Sequence, residues 1–179
     1  MYDAEPNPTL PGLDADQLFL DLRIPGLQPA QARRAHGDVF ESQMLGRLHF
    51  AQMPAGRPSY WFGEQRMPDS RFPLKIVCEV ESDRAPGPDH IACVVAIRRL
   101  QVQDAMVCAP LIKARLQELK PARTVCAEDL VLTSIHLPPR PLIDARFELG
   151  FRDQTAPDLS LTVVFVRGAP RSVRIDSDA

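Results

Sequence analysis

The chain has no long hydrophobic run. Its longest uninterrupted apolar stretch, residues 91–97, is seven residues, far short of the ~20 a helix needs to cross a bilayer. Its first thirteen residues lack a basic start followed by an apolar stretch, so no secretory leader is expected there. Nine glycines are scattered from Gly12 to Gly168 with no two closer than seven positions. That excludes both a GxGxxG turn and a Walker loop, which need closely spaced glycines so that backbone can approach an anion. The four cysteines, Cys78, Cys93, Cys108 and Cys126, contain no CxxC pair and each sits in or beside an apolar stretch. They read as free, buried thiols of a reducing cytosol rather than as a disulfide framework. An excess of one charge is missing too: 21 basic and 23 acidic residues give a net charge of -2. A nucleic-acid groove and a polybasic membrane surface are therefore not expected. Lysine is scarce, three against eighteen arginines, a bias that points to a GC-rich bacterial genome.

What is present is an ordinary globular composition, 45% hydrophobic and 25% charged over 179 residues. A chain of this length buries roughly 70% of the surface its unfolded form exposes, enough to do without metal or disulfide staples. Residues 1–13, with three prolines and a glycine, read as an N-terminal tail. Residues 14–179 read as one domain. Alternation over residues 18–24 predicts a strand ended by Pro25-Gly26, and residues 29–45 space their apolar side chains as a helix would. Strands follow at 47–53 and around Tyr60-Trp61-Phe62. Leu74, Ile76, Cys78 and Val80 alternate with Lys75, Val77, Glu79 and Glu81, a half-buried strand with an acidic outer face.

Residues 91–100 are apolar on both sides until Arg98 and predict a central strand. Asp104 then suits a helix N-cap, and Pro110 either starts a new helix or kinks a longer one. Strands at 129–137, 143–152, 159–165 and 172–176 close the chain, separated by turns short enough for antiparallel neighbours. The expected fold is α+β: a mainly antiparallel sheet with one or two helices packed on one face.

Chemistry-bearing patterns are few. His90 and Cys93 are the only close soft-ligand pair, and on a strand they would point to opposite faces, so no metal site is expected. No cofactor-binding motif is visible. Ser134 and His136 lie two apart on one predicted strand; their side chains would project in parallel about 7 Å apart, too far for direct proton transfer. Leu130 and Leu132 fall on the same alternation, which reads the pair as the polar end of a core strand. Glu79 and Glu81, with Asp83 continuing them, form a carboxylate row, read as the solvated face of an edge strand or as a patch for a basic partner. Tyr60-Trp61-Phe62 is the densest aromatic cluster. Period two puts Trp61 on one face and its neighbours on the other, one in the core and the other available as a contact surface.

The segment YWFG at 60–63, the strand at 74–81, the helix near 110–119 and the closing hairpins DLVLTSIHL, IDARFELGF, LSLTVVFV and RGAPRSVRID set a layout. That layout resembles small bacterial α+β immunity proteins of contact-dependent and polymorphic toxin systems. The resemblance is topological, covers about two-thirds of the chain and carries no functional residue across. It implies a cytoplasmic, non-enzymatic protein that binds a cognate toxin stoichiometrically. The aromatic cluster and the carboxylate row, read for themselves, offer Tyr60, Trp61, Glu79, Glu81 and Asp83 as the surface for a more basic partner, such as a basic toxin domain. Two other readings stay open. One is a small enzyme whose site is assembled from distant residues such as Cys126, His136 and Asp144. The other is a scaffold or secretion adaptor that self-associates through an exposed strand edge.

Overall fold

A computed structural model describes residues 38–68, 70–81, 84–119, 125–144 and 146–177. The expected strand at 18–24, the first part of the expected helix at 29–45, and Asp83 lie outside the described residues. The fold is α+β, as expected. Eight strands form one sheet in sequential order: β1 (Val39–Ser42), β2 (Gly46–Ala51), β3 (Ser59–Gln65), β4 (Leu74–Val80), β5 (Leu130–Leu137), β6 (Arg146–Asp153), β7 (Leu159–Val166) and β8 (Ala169–Ser177). Every neighbouring pair is antiparallel except β4 and β5, which run parallel. A parallel pair needs a long crossover. Here it contains the 32-residue helix α1 (Pro88–Leu119). A single helical turn, α2 (Pro141–Asp144), links β5 to β6.

α1 packs on one face of the sheet. Its residues Val94, Ile97, Ala105, Cys108, Ile112 and Leu116 join the main core with the inward row Ile76, Ile135, Leu149, Val163 and Val173, one residue from each of β4 to β8. Trp61 and Cys78 are cross-strand partners in the same core. The opposite face, open only in that no described helix lies on it, carries a smaller buried cluster of Ala51, Met53, Tyr60, Phe62 and Val77, with Tyr60 8% and Phe62 0% exposed. The hairpins at the C-terminal end are locally specified. Arg167 and Gly168 both have positive φ, 52 and 74, as a tight two-residue hairpin turn requires. Between β6 and β7, buried Asp153 accepts hydrogen bonds from the Thr155 amide (2.7 Å), the Thr155 hydroxyl (2.6 Å) and the Ala156 amide (3.3 Å) through Oδ1, a side-chain-closed turn of the Asx type.

Three expectations are corrected. Residues 91–100 are not a central strand but the first part of α1, which runs through Asp104 and Pro110 without a break; Asp104 caps nothing. The run looked two-sided because α1 has little charge on its outward side as well as on its inward one. His90, expected on a strand, is buried in the first turn of α1, where its Nε2 donates to the Glu79 carbonyl at 3.1 Å. The described end of the expected 29–45 helix is instead the strand β1. There Phe40 pairs with Leu48 and stands edge-on to Trp61, with ring centroids 6.0 Å apart; sheet packing overrides a local helical spacing.

Candidate functional site

The open face acquires its chemistry from an irregularity in β5. Leu132 pairs with Phe151 and Ser134 with Gly150, so two residues of β5 oppose one step of β6. This bulge inserts Thr133 and reverses the alternation. Leu130 and Leu132 face the core before it, and Ile135 and Leu137 after it. Ser134 and His136 are therefore turned to the open face, away from the leucines they were expected to accompany. They do not form the polar end of a core row.

Register then assembles a transverse row across the open face: His49, Phe62, Val77, His136, Glu148, Val164 and Ser172, each opposite the next from β2 to β8. Tyr60 and Glu79 are partners one step along the strands. His136 Nε2 donates to Glu79 Oε1 at 2.9 Å, with both side chains about four-fifths buried (22% and 21% exposed). The Tyr60 ring lies 6.0 Å from the His136 ring. On the next strand Glu148 flanks His136 and pairs with Arg174 at 2.6 Å. Burial, then the Glu79 carboxylate, raises the Tyr60 phenol above its ordinary pKa, with Arg57 opposing. Burial and Arg47 lower the His49 imidazole. A band of tyrosine, carboxylate, imidazole, carboxylate and guanidinium thus runs from β3 to β8, roughly 24 Å at one strand spacing per step.

The sequence-predicted residues fall into three groups. Tyr60 and Glu79 are in the band. β4 is a central strand, not an edge, so Glu79 is not on a solvated rim. Glu81 lies just past β4, exposed, and pairs with Arg140 at 2.8 Å. Trp61 is on the other side of the sheet, 4% exposed, with Nε1 donating to the Arg84 carbonyl at 2.9 Å; it is a core residue and lies apart from the band. Asp83 is outside the described residues. His136 is the main participant that sequence reasoning set aside. Its signal was the polar Ser134-x-His136 step interrupting an apolar alternation, which a bulge explains.

The distant triple is not brought together. Cys126 precedes the 3-10 turn Ala127–Asp129 that leads into β5, and His136 stands near the far end of that strand, roughly 20 Å along it from Leu130. Asp144 closes α2, beyond β5. Among the described residues no cluster of His, Cys, Asp and Glu is placed to hold a metal ion, and no helix is long and apolar enough to cross a membrane.

The thiols also depart from the uniformly buried expectation. Cys78 and Cys108 are buried and Cys126 is exposed. Burial pushes both buried thiols up to about 12, with Cys93 adding to the effect on Cys78 and Asp104 to that on Cys108. Only the thiolate is nucleophilic. Titration of the native protein with a maleimide is therefore expected to modify Cys126 first and partly exposed Cys93 more slowly. Cys78 and Cys108 should react only on denaturation, with sites assigned by peptide mass mapping; early labelling of Cys78 or Cys108 would contradict the core assignment.

Comparison with known protein families, characterised proteins and solved structures returns no match. The function has to be argued from the open face itself.

Proposed function

We propose that the protein is a non-enzymatic binding module that presents its open sheet face to a protein partner, and that it acts as a toxin-neutralising immunity protein. The observation that supports this reading best is the Tyr60–Glu79–His136–Glu148–Arg174 band. Its polar groups are held in register on a packed sheet, by Glu79–His136 and Glu148–Arg174 contacts that span neighbouring and next-nearest strands. Pre-positioned charge of both signs around a tyrosine gives selectivity and orientation at an interface without ordering costs on binding. The cytosol is the proposed compartment, where four free thiols stay reduced.

The chemistry of the partner follows from the pairing. Glu79 and Glu81 already hold His136 and Arg140, so a uniformly basic toxin surface would have to displace both side chains. A partner with charges of both signs, a carboxylate facing Arg174 and cations facing Glu79 and Glu148, fits the band as it stands.

The test is co-expression with the product of the adjacent gene. A one-to-one complex with protection from that product's toxicity is expected. Tyr60→Ala and His136→Ala should each weaken the complex at least ~10-fold, the scale of a central contact residue, while the thermal midpoint moves little for His136→Ala. Absence of a complex at micromolar concentration, or affinity untouched by both substitutions, would reject the reading.

A further inference from the structure

A helix lying on a sheet keeps its outward side wet and normally charged. The outward side of α1 is not. Ala92, Ala96, Leu100, Gln103, Met106, Val107, Pro110 and Ala114 are all exposed there, and over this stretch of some 33 Å the outward side carries two charges, Arg99 and, at its margin, Lys113. Leu100, Met106 and Val107 are 45%, 62% and 55% exposed. This is the reason the sequence of α1 looked two-sided.

We propose that this stripe is the contact surface for a second copy of the same chain, with the two α1 helices packed antiparallel about a two-fold axis at Gln103. An isologous contact must match a patch to itself. Centring the axis on Gln103 sets Leu100 against Met106 of the second copy, Ala96 against Pro110 and Ala92 against Ala114. The large side chains meet in the middle, and the small ones at both ends let the backbones approach. Arg99 falls opposite Val107 and Lys113 opposite Cys93, so no like charges meet. The exposed area of these residues, on the order of 500 Å² per copy, sets an upper limit on the order of 1,000 Å² for the pair, the low end of what a specific interface needs. An area of that size fits a dimer that assembles in the micromolar range. Because α1 covers one sheet face, pairing through its outward side leaves both open faces pointing away, and the dimer would carry two copies of the polar band.

The experiment is sedimentation velocity on the full chain from ~1 to ~300 µM, a range that brackets the dissociation constants expected for a small interface. The wild-type chain should pass from monomer to dimer. Leu100→Glu with Met106→Glu sets carboxylates opposite carboxylates at both contacts and should raise the dissociation constant at least ~100-fold. Leu100→Lys with Met106→Lys should do the same. An equimolar mixture of the two doubly substituted chains should recover a dimer, an outcome that misfolding cannot produce. A wild-type chain that stays monomeric throughout overturns the proposal. So does a dimer that survives both double substitutions, which would place self-association elsewhere, such as the β8 edge. A monomeric chain whose thermal midpoint falls when the glutamates are introduced also overturns it, since the stripe would then be covered by the chain's own remaining residues. Because none of these readouts uses a toxin, failure here and failure of the binding reading are separately visible.

Discussion

Gly63→Ala is expected to lower the thermal midpoint by about 10 °C, and Gly150→Ala by nearly as much, yet only the second should be rescuable. A methyl group at Gly63 would run into the carbonyl oxygen of Arg47 on β2 and the Leu48 side chain beneath it. The main obstacle is backbone, held by the sheet ladder, and it cannot move without opening β2 from β3. At Gly150 the obstacle is the hydroxyl of Ser134, which occupies the space a Cβ would take. Overpacking of this kind costs about 1–3 kcal/mol and more when the neighbour is rigid; each kcal/mol is worth roughly 2–4 °C in a chain of this size. Adding Ser134→Gly to Gly150→Ala removes the Ser134 hydroxyl and Cβ, the two side-chain atoms nearest the new methyl. A thermal-melt double-mutant cycle should show the pair more stable than Gly150→Ala alone. No single substitution on β2 is expected to rescue Gly63→Ala. If Ser134→Gly left the melt of the Gly150→Ala protein no more stable, the register that brings Ser134 over Gly150, and with it the orientation of His136 to the open face, would be wrong.

That register also explains which parts of the fold could be read from the residues alone. β4, β6 and β7 each bury one side more than the other, so Leu74/Ile76/Cys78 and Leu159/Leu161/Val163 announce themselves by a two-residue period. α1 hid because its outward residues Ala96, Leu100 and Met106 are as uncharged as its inward Val94 and Ile97; a helix is recognised by the contrast between its sides, and here the contrast is weak. The bulge at Thr133 is invisible in composition, since it shows only as two residues of β5 meeting one step of β6. The Glu79–His136 contact joins positions 57 apart in sequence across the crossover, and nothing local marks either residue as the other's partner. The turn residues, by contrast, carried their message: Arg167-Gly168 and Asp153-x-Thr155 sit where the chain reverses.

Trp61→Ala is expected to cost about 3–5 kcal/mol of folding stability, the range for deleting a buried large aromatic, and to do so without touching the face proposed to bind a partner. Trp61 stacks against Phe50 with centroids 5.1 Å apart, meets Phe40 edge-on, and spends its one donor on the Arg84 carbonyl ahead of α1. Its removal leaves a cavity between β1, β2 and the entry to the helix, and an unfilled acceptor at Arg84 unless water or another donor reaches it. Tyr60, next in sequence, points the other way, so alternation assigns the two neighbours to separate places: one packs between the sheet and the entry to the helix, the other beside Glu79 and His136 in the proposed binding band. Chemical denaturation followed by the fluorescence of this single tryptophan should begin from a blue-shifted, buried emission, and circular dichroism should report the loss in the Trp61→Ala protein. Tyr60→Phe isolates the phenol's contribution with little change in packing. A weakened complex for Tyr60→Phe with unchanged stability, set against a destabilised Trp61→Ala chain that binds normally wherever it is folded, is the expected separation. If Trp61→Ala left stability intact and abolished binding, the indole would belong on the surface and the assignment of the sheet's two faces would be inverted.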